Sequence, residues 1–151
     1  MVFKHDEVLD ILEAQSPEEL TRFALDLIKR RAKKVAIVCG PVSTGNHRLP
    51  DENWRRMNAI MSALHRQGIT VFNHFIFLKR IEKMRGKPHY QDRVFVRENF
   101  HLPLLKSGWV KTVYFTYEWR RSVGARWYYE RAKALGIEVK IVQPSHNAKI
   151  I

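Results

Sequence analysis

The chain has 151 residues, 45% apolar and 28% charged, proportions that fit a folded globular domain and exclude a disordered chain or a low-complexity fibre. It carries 27 Lys and Arg against 15 Asp and Glu, a formal charge of +12, and a field of that size attracts phosphate on a small ligand or along a nucleic acid. No apolar run approaches the roughly 20 residues that span a bilayer, and the opening MVFKHDEVLDILEA lacks the charged-then-apolar plan of a secretion signal, so a cytoplasmic location with no membrane partner is expected.

The charge is unevenly laid out. Residues 1–34 hold seven bases and seven acids, so the whole excess lies in residues 35–151. Within the neutral segment, Val8, Leu9, Ile11 and Leu12 form a short amphipathic piece. Ser16, Pro17, Glu18 and Glu19 then read as a capping box with proline at the first helical position, followed by Leu20, Phe23, Ala24, Leu27 and Ile28 at spacings of three and four. Residues 1–33 therefore read as a helical extension, and its apolar faces suit a subunit contact in a homo-oligomer.

The period changes at residue 34. Val35 to Val38 is a continuous apolar run stopped by Cys39-Gly40-Pro41, the pattern of a buried strand. Asp51 is placed to cap a helix with Trp54, Met57, Ile60, Met61 and Leu64 on one face, ended by Gly68. Ile69 to Phe72 reads as a second strand, and Arg93 to Lys106 as a helix weakened by Pro103. Trp109 to Phe115 gives a third strand, Ser122 to Leu135 a helix ending at Gly136, and Ile137 to Val142 a fourth strand, while residues 143–151 carry no pattern and read as a tail. Strands alternating with helices imply right-handed crossovers, so residues 34–142 are expected to form a small doubly wound, flavodoxin- or Rossmann-like parallel sheet of four or five strands.

In such sheets the ligand lies beyond the carboxyl ends of the strands. Two loops leave strands there. In Gly40-Pro41-Val42-Ser43-Thr44-Gly45-Asn46 the glycines permit close backbone approach and the hydroxyls of Ser43 and Thr44 suit phosphate or sugar, although neither a Walker A nor a GxGxxG register is present and a plain turn fits the same residues. In Glu118-Trp119-Arg120-Arg121-Ser122-Val123-Gly124-Ala125, Ser122 is a natural helix cap, the first-turn amides of Gly124 and Ala125 favour an anion, and Arg120, Arg121 and Arg126 supply charge. A solvated arginine cluster beside an ordinary cap reads equally well from composition.

Taken together, GPVSTG (Gly40 to Gly45) and WRRSVGA (Trp119 to Ala125) resemble the paired motifs of the nucleoside 2-deoxyribosyltransferase-like superfamily, and the closing AKALGIEVKIV resembles its last helix and strand. The resemblance spans Lys34 to Val142, and it implies an α/β domain that binds a nucleoside or nucleotide and cleaves or exchanges its N-glycosidic bond through a glutamate nucleophile. The family's glutamate falls four residues after the glycine of Ser-x-Gly, which is Tyr128 here. Glu130 lies about 200° further around the helix and reads as a solvated salt-bridge residue, whereas Glu118 lies just past the strand but off the family position. Where such enzymes often carry an aspartate ahead of the third strand, this chain has Asn99, Phe100 and His101.

The aromatic residues Trp119, Trp127, Phe72, Phe75 and Phe77 could stack on a base or fill a core, the commoner fate. Histidines His47, His74 and His101 show no metal-ligand spacing, and the single cysteine Cys39 has no partner in sequence, so neither metal nor cofactor is expected. The competing reading is a non-enzymatic nucleic-acid module using Lys79, Arg80, Lys83, Arg85, Lys87, Arg93 and Arg97, seven bases within a short stretch.

Overall fold

The computed structural model describes residues 1–41, 50–85 and 93–143. Helix α1 (His5–Glu13) and helix α2 (Pro17–Arg31) occupy the neutral segment. Ser16 caps α2 as its spacing requires: its hydroxyl accepts from the Glu19 amide at 3.1 Å, while the Glu19 carboxylate reaches back one residue further, to the Gln15 amide at 2.9 Å. On α1 the expected apolar face is only half used, since Ile11 is buried but Leu9 and Leu12 are 41% and 47% exposed. Glu7 is buried in their place, held by Arg31 at 2.8 Å and by the Lys4 amide at 2.7 Å.

Strand β1 (Val35–Cys39) follows, then α3 (Pro50–Arg66), α4 (Phe75–Arg85), α5 (Arg93–Val96), a π-helical turn (Arg97–His101), α6 (Leu102–Lys106) and β2 (Val110–Thr116). One turn of 3₁₀ helix (Trp119–Arg121), α7 (Val123–Ala134) and β3 (Glu138–Val142) close the order. Helix α3 starts at Pro50, so Asp51 is already inside it rather than capping it.

The chain gathers into two compact units, one of residues 1–34 and 72–109, the other of residues 35–71 and 110–151. In the first, the N-terminal helices pack on α4, the π turn and α6, so part of the faces offered above for a subunit contact meets this chain's own segment 72–109, while Leu9 and Leu12 stay exposed. Its core is aromatic: Phe77 has ring centroids of Phe3, Phe23, Phe72 and Phe100 at 5.9, 6.4, 5.3 and 5.6 Å. Phe72, Phe75 and Phe77 are therefore core residues, and a base has no access to them.

The helix expected from Arg93 to Lys106 is present without a break, but Pro103 changes its winding. Proline has no amide to offer the carbonyl four residues back, which is Asn99, and the backbone widens into the π turn just before it. The freed Asn99 carbonyl accepts instead from the Thr21 hydroxyl of α2 at 2.8 Å. Replacing Thr21 by Val should cost about 0.5–1.5 kcal/mol, because the part-buried Asn99 and Pro17 carbonyls lose the hydroxyl they share, while Thr21→Ser stays near the parent; urea unfolding of both variants checks this.

The second unit is mixed α/β, built on a three-stranded parallel sheet in the order β1-β2-β3. β1 is buried throughout, as its continuous apolar run requires. The expected second strand, Ile69 to Phe72, is reduced to one parallel bridge from Val71 to Ala36 on the free side of β1. Pairing lasts so briefly because Gly68, with φ +78°, turns the chain into the segment at one end, and at the other Phe72 leaves the sheet for the aromatic core of the first unit. Side chains of Cys39 and Phe115, paired in register, share the sheet face that receives α7, where Phe115 meets Tyr129 edge-on at 5.7 Å. Helix α3 also packs on β1.

Candidate carboxyl-edge site

β1 and β2 run parallel, so Gly40 and Thr116 meet at the carboxyl edge of the sheet. A Cβ on Gly40 would lie 2.6 Å from Cγ2 and 3.0 Å from Cβ of Thr116 and would also run into its Oγ1. The glycine is thus needed to admit the Thr116 side chain. The Thr116 hydroxyl is buried and has no hydrogen-bond partner among the described residues, at the strand end where ligands bind in parallel sheets. Pro41 follows, buried; Ser43, Thr44, Gly45 and Asn46 lie outside the described residues.

Beyond β2 the chain turns through Tyr117, 59% exposed, and Glu118 into the 3₁₀ turn. Glu118 is the centre of an ion cluster: one oxygen accepts from Arg56 of α3 at 2.9 Å, the other from Arg121 at 3.3 Å. Arg56 also pairs with Glu52 one turn back, at 3.0 Å. The Ser122 hydroxyl is spent as the cap of α7, accepting from the Ala125 amide at 3.1 Å. Arg126 donates to the Arg120 carbonyl at 2.9 Å, and no acidic residue stands in the first turn of α7. Cations at a helix N-terminus oppose the macrodipole, so this end of α7 is electrostatically short of an anion. Gly124 is exposed and Ala125 is buried.

Trp119 is 6% exposed, and both ring faces are taken. Tyr129 stacks at 4.4 Å with 17° between planes and the Arg120 guanidinium lies 4.7 Å from the centroid; at these distances the two cannot share one face. Trp127 is half-buried, with Arg131 over its ring at 5.8 Å.

Tyr128 is 4% exposed and lies on the buried face of α7 close to Cys39. Burial first, and the neighbouring Cys39 second, push its phenol well above the ordinary tyrosine range, so it stays protonated and is no nucleophile. Burial alone raises the Cys39 thiol in the same way. Glu130, two residues on, is exposed. The three sequence candidates for chemistry therefore separate: Glu118 at the sheet edge, Tyr128 in the core, Glu130 in solvent.

The basic stretch also divides. Lys79 and Lys83 share an exposed face of α4, whereas Arg80 is half-buried and donates to the Ala14 carbonyl at the end of α1 at 3.0 Å. Arg97 is half-buried in the π turn. Lys87 and the side chains of Arg85 and Arg93 lie outside the described residues. His74 and His101 meet edge-on, buried, with centroids 5.6 Å apart, and His47 lies outside the described residues. Among the described residues no three of His, Cys, Asp and Glu converge as metal ligands, and no helix is long and apolar enough to cross a membrane.

Sequence reading had no way to find Arg56, whose partner Glu118 is 62 residues away. Thr116 and Tyr117 were hidden in a strand end, and the only signal for them was their place just ahead of the Trp119 motif. Searches against protein-family models, curated proteins and solved structures give no match to this chain.

Proposed function

We propose that the protein binds a phosphate-bearing nucleotide or nucleoside derivative at the carboxyl edge of the sheet, between the Gly40 end of β1 and the Trp119 to Ala125 turn. The observation that carries this reading is the first turn of α7, which lacks an acidic residue, while Arg120 and Arg121 directly precede it in the chain and Arg126 follows in the helix. The three-stranded parallel sheet supports it, since ligands of such sheets lie beyond the carboxyl ends of the strands. The isolated bridge of Val71 to Ala36 lies on the side of β1 away from β2, so the chain's pairings go to both sides of β1, beside whose carboxyl end Gly40 and Thr116 stand. The base has no open face on Trp119, so it lies toward the exposed ring of Tyr117.

The proposal is one of binding. Transfer or hydrolysis of an N-glycosidic bond would need a carboxylate nucleophile, and the buried neutral phenol of Tyr128 is none. Calorimetry against deoxynucleosides and their 5′-monophosphates tests the reading: monophosphates bind, the unphosphorylated nucleosides bind at least tenfold more weakly, and Arg121→Ala loses about tenfold toward monophosphates, in the range of a charge-assisted contact. No monophosphate binding at millimolar concentration rejects the site. Release of free base that falls in Glu118→Gln or Glu130→Gln would make the protein an N-glycosidase or transferase instead. Salt-steep binding to long DNA or RNA without mononucleotide binding would assign it to the Lys79 to Arg97 face as a nucleic-acid module.

A further inference from the structure

Glu118 holds one guanidinium on each carboxylate oxygen, Arg56 at 2.9 Å and Arg121 at 3.3 Å, and the two arginines arrive from different elements, α3 and the 3₁₀ turn. Two guanidinium groups converging on the oxygens of one anion is also how a phosphoryl group is gripped. All three side chains are open to solutes, at 50%, 62% and 31% exposure for Arg56, Arg121 and Glu118. Arg56 also pairs with Glu52 one turn back in α3, so it keeps a carboxylate neighbour when Glu118 departs. Among the described residues Arg121 has no second carboxylate partner.

We infer that Arg56 and Arg121 form a two-guanidinium subsite for a phosphoryl group, with Glu118 as the resident counter-ion that the incoming group displaces. The inference rests on the reading of the carboxyl edge as a phosphate site and adds to it Arg56, from a helix outside both sequence motifs. The exchange is favourable by charge: a phosphate monoester carries about −1.5 to −2 at neutral pH where the carboxylate carries a single charge. Glu118 ties the arginines together only through exposed pairs, which are weak. Its charge then competes with the ligand, and removing that charge strengthens binding.

The test titrates inorganic pyrophosphate into the full chain, its Glu118→Gln and Arg56→Met variants, and Arg55→Met as a control on a neighbouring exposed arginine, by calorimetry at low salt with circular dichroism checking the fold. The expected results are about fivefold tighter binding by Glu118→Gln, as the loss of one nearby charge across solvent gives, about fivefold weaker binding by Arg56→Met, and no change in Arg55→Met. Binding by Glu118→Gln that is unchanged or weaker overturns the inference, because Glu118 would then be positioning the arginines. If Glu118→Gln does not fold, the arginine pair decides: equal binding by Arg56→Met and Arg55→Met overturns the inference, and selective loss in Arg56→Met sustains the subsite. Nucleotide binding without these pyrophosphate responses removes the inference alone, whereas absence of binding by both probes removes the site reading with it.

Discussion

Acidification from pH 7 to pH 5 should remove about 2 kcal/mol of stability through His74 alone, and the loss should reach about 4 kcal/mol near pH 3. His74 is 4% exposed, stacked on Phe75 at 4.2 Å and edge-on to His101 at 5.6 Å. Burial lowers its pKa from the ordinary 6.5 to about 3, since charging the ring would strand a cation among aromatic side chains. The unfolded chain binds a proton below pH 6.5 that the folded chain refuses until about pH 3, so stability is fully present above 6.5 and falls as pH falls through that window. Urea midpoints at pH 7 and pH 5 for the parent and His74→Gln measure it. The variant is expected to lose about 2 kcal/mol less than the parent between the two pH values, whatever its stability at pH 7. Equal losses would mean that His74 accepts a proton in the fold, with His101 the adjoining group able to share it.

Gly40→Ala is the second large effect, a destabilisation of about 2–3 kcal/mol from overpacking. The new methyl would stand 2.6 Å from Cγ2 of Thr116, on a β-branched side chain that has few rotamers to retreat into and is buried at a strand end. The cause can be isolated. In a double-mutant cycle, Gly40→Ala in a Thr116→Ala background should cost at least about 1 kcal/mol less than in the parent, because two of the three crowding atoms are gone. Additive costs would show that the strain comes from the backbone of Gly40 and not from the threonine. Near-UV circular dichroism and thermal unfolding read out both variants.

Several elements were legible because their signals are local. The Ser16 cap, the buried run of β1, the face of α3 around Met57, Ile60 and Leu64, and the Ser122 cap of α7 depend on residues within a turn or two of one another. Val110 to Thr116 and Glu138 to Val142 form strands within a residue of their expected bounds for the same reason. Ile69 to Phe72 looked like an equal strand, yet it pairs through Val71 only, because Phe72 packs with Phe77 and Phe3. Pro103 read as a weak point in the helix from Arg93 to Lys106, but no local signal shows that the Thr21 hydroxyl of a helix far away in the chain takes up the carbonyl it frees.

The candidate site divides along the same line. Composition and spacing alone determined that this is a basic α/β chain with a capped, arginine-flanked helix start at Ser122. Only the tertiary structure decided what those residues face. It closed both sides of Trp119 with Arg120 and Tyr129, filled the space above Gly40 with Thr116, buried Tyr128 beside Cys39, and brought Arg56 to Glu118. The physical reason is range: caps and periodicity act between residues near in sequence, whereas ring faces, excluded volume and ion pairing act between atoms near in space, and sequence separation carries no record of which atoms those are.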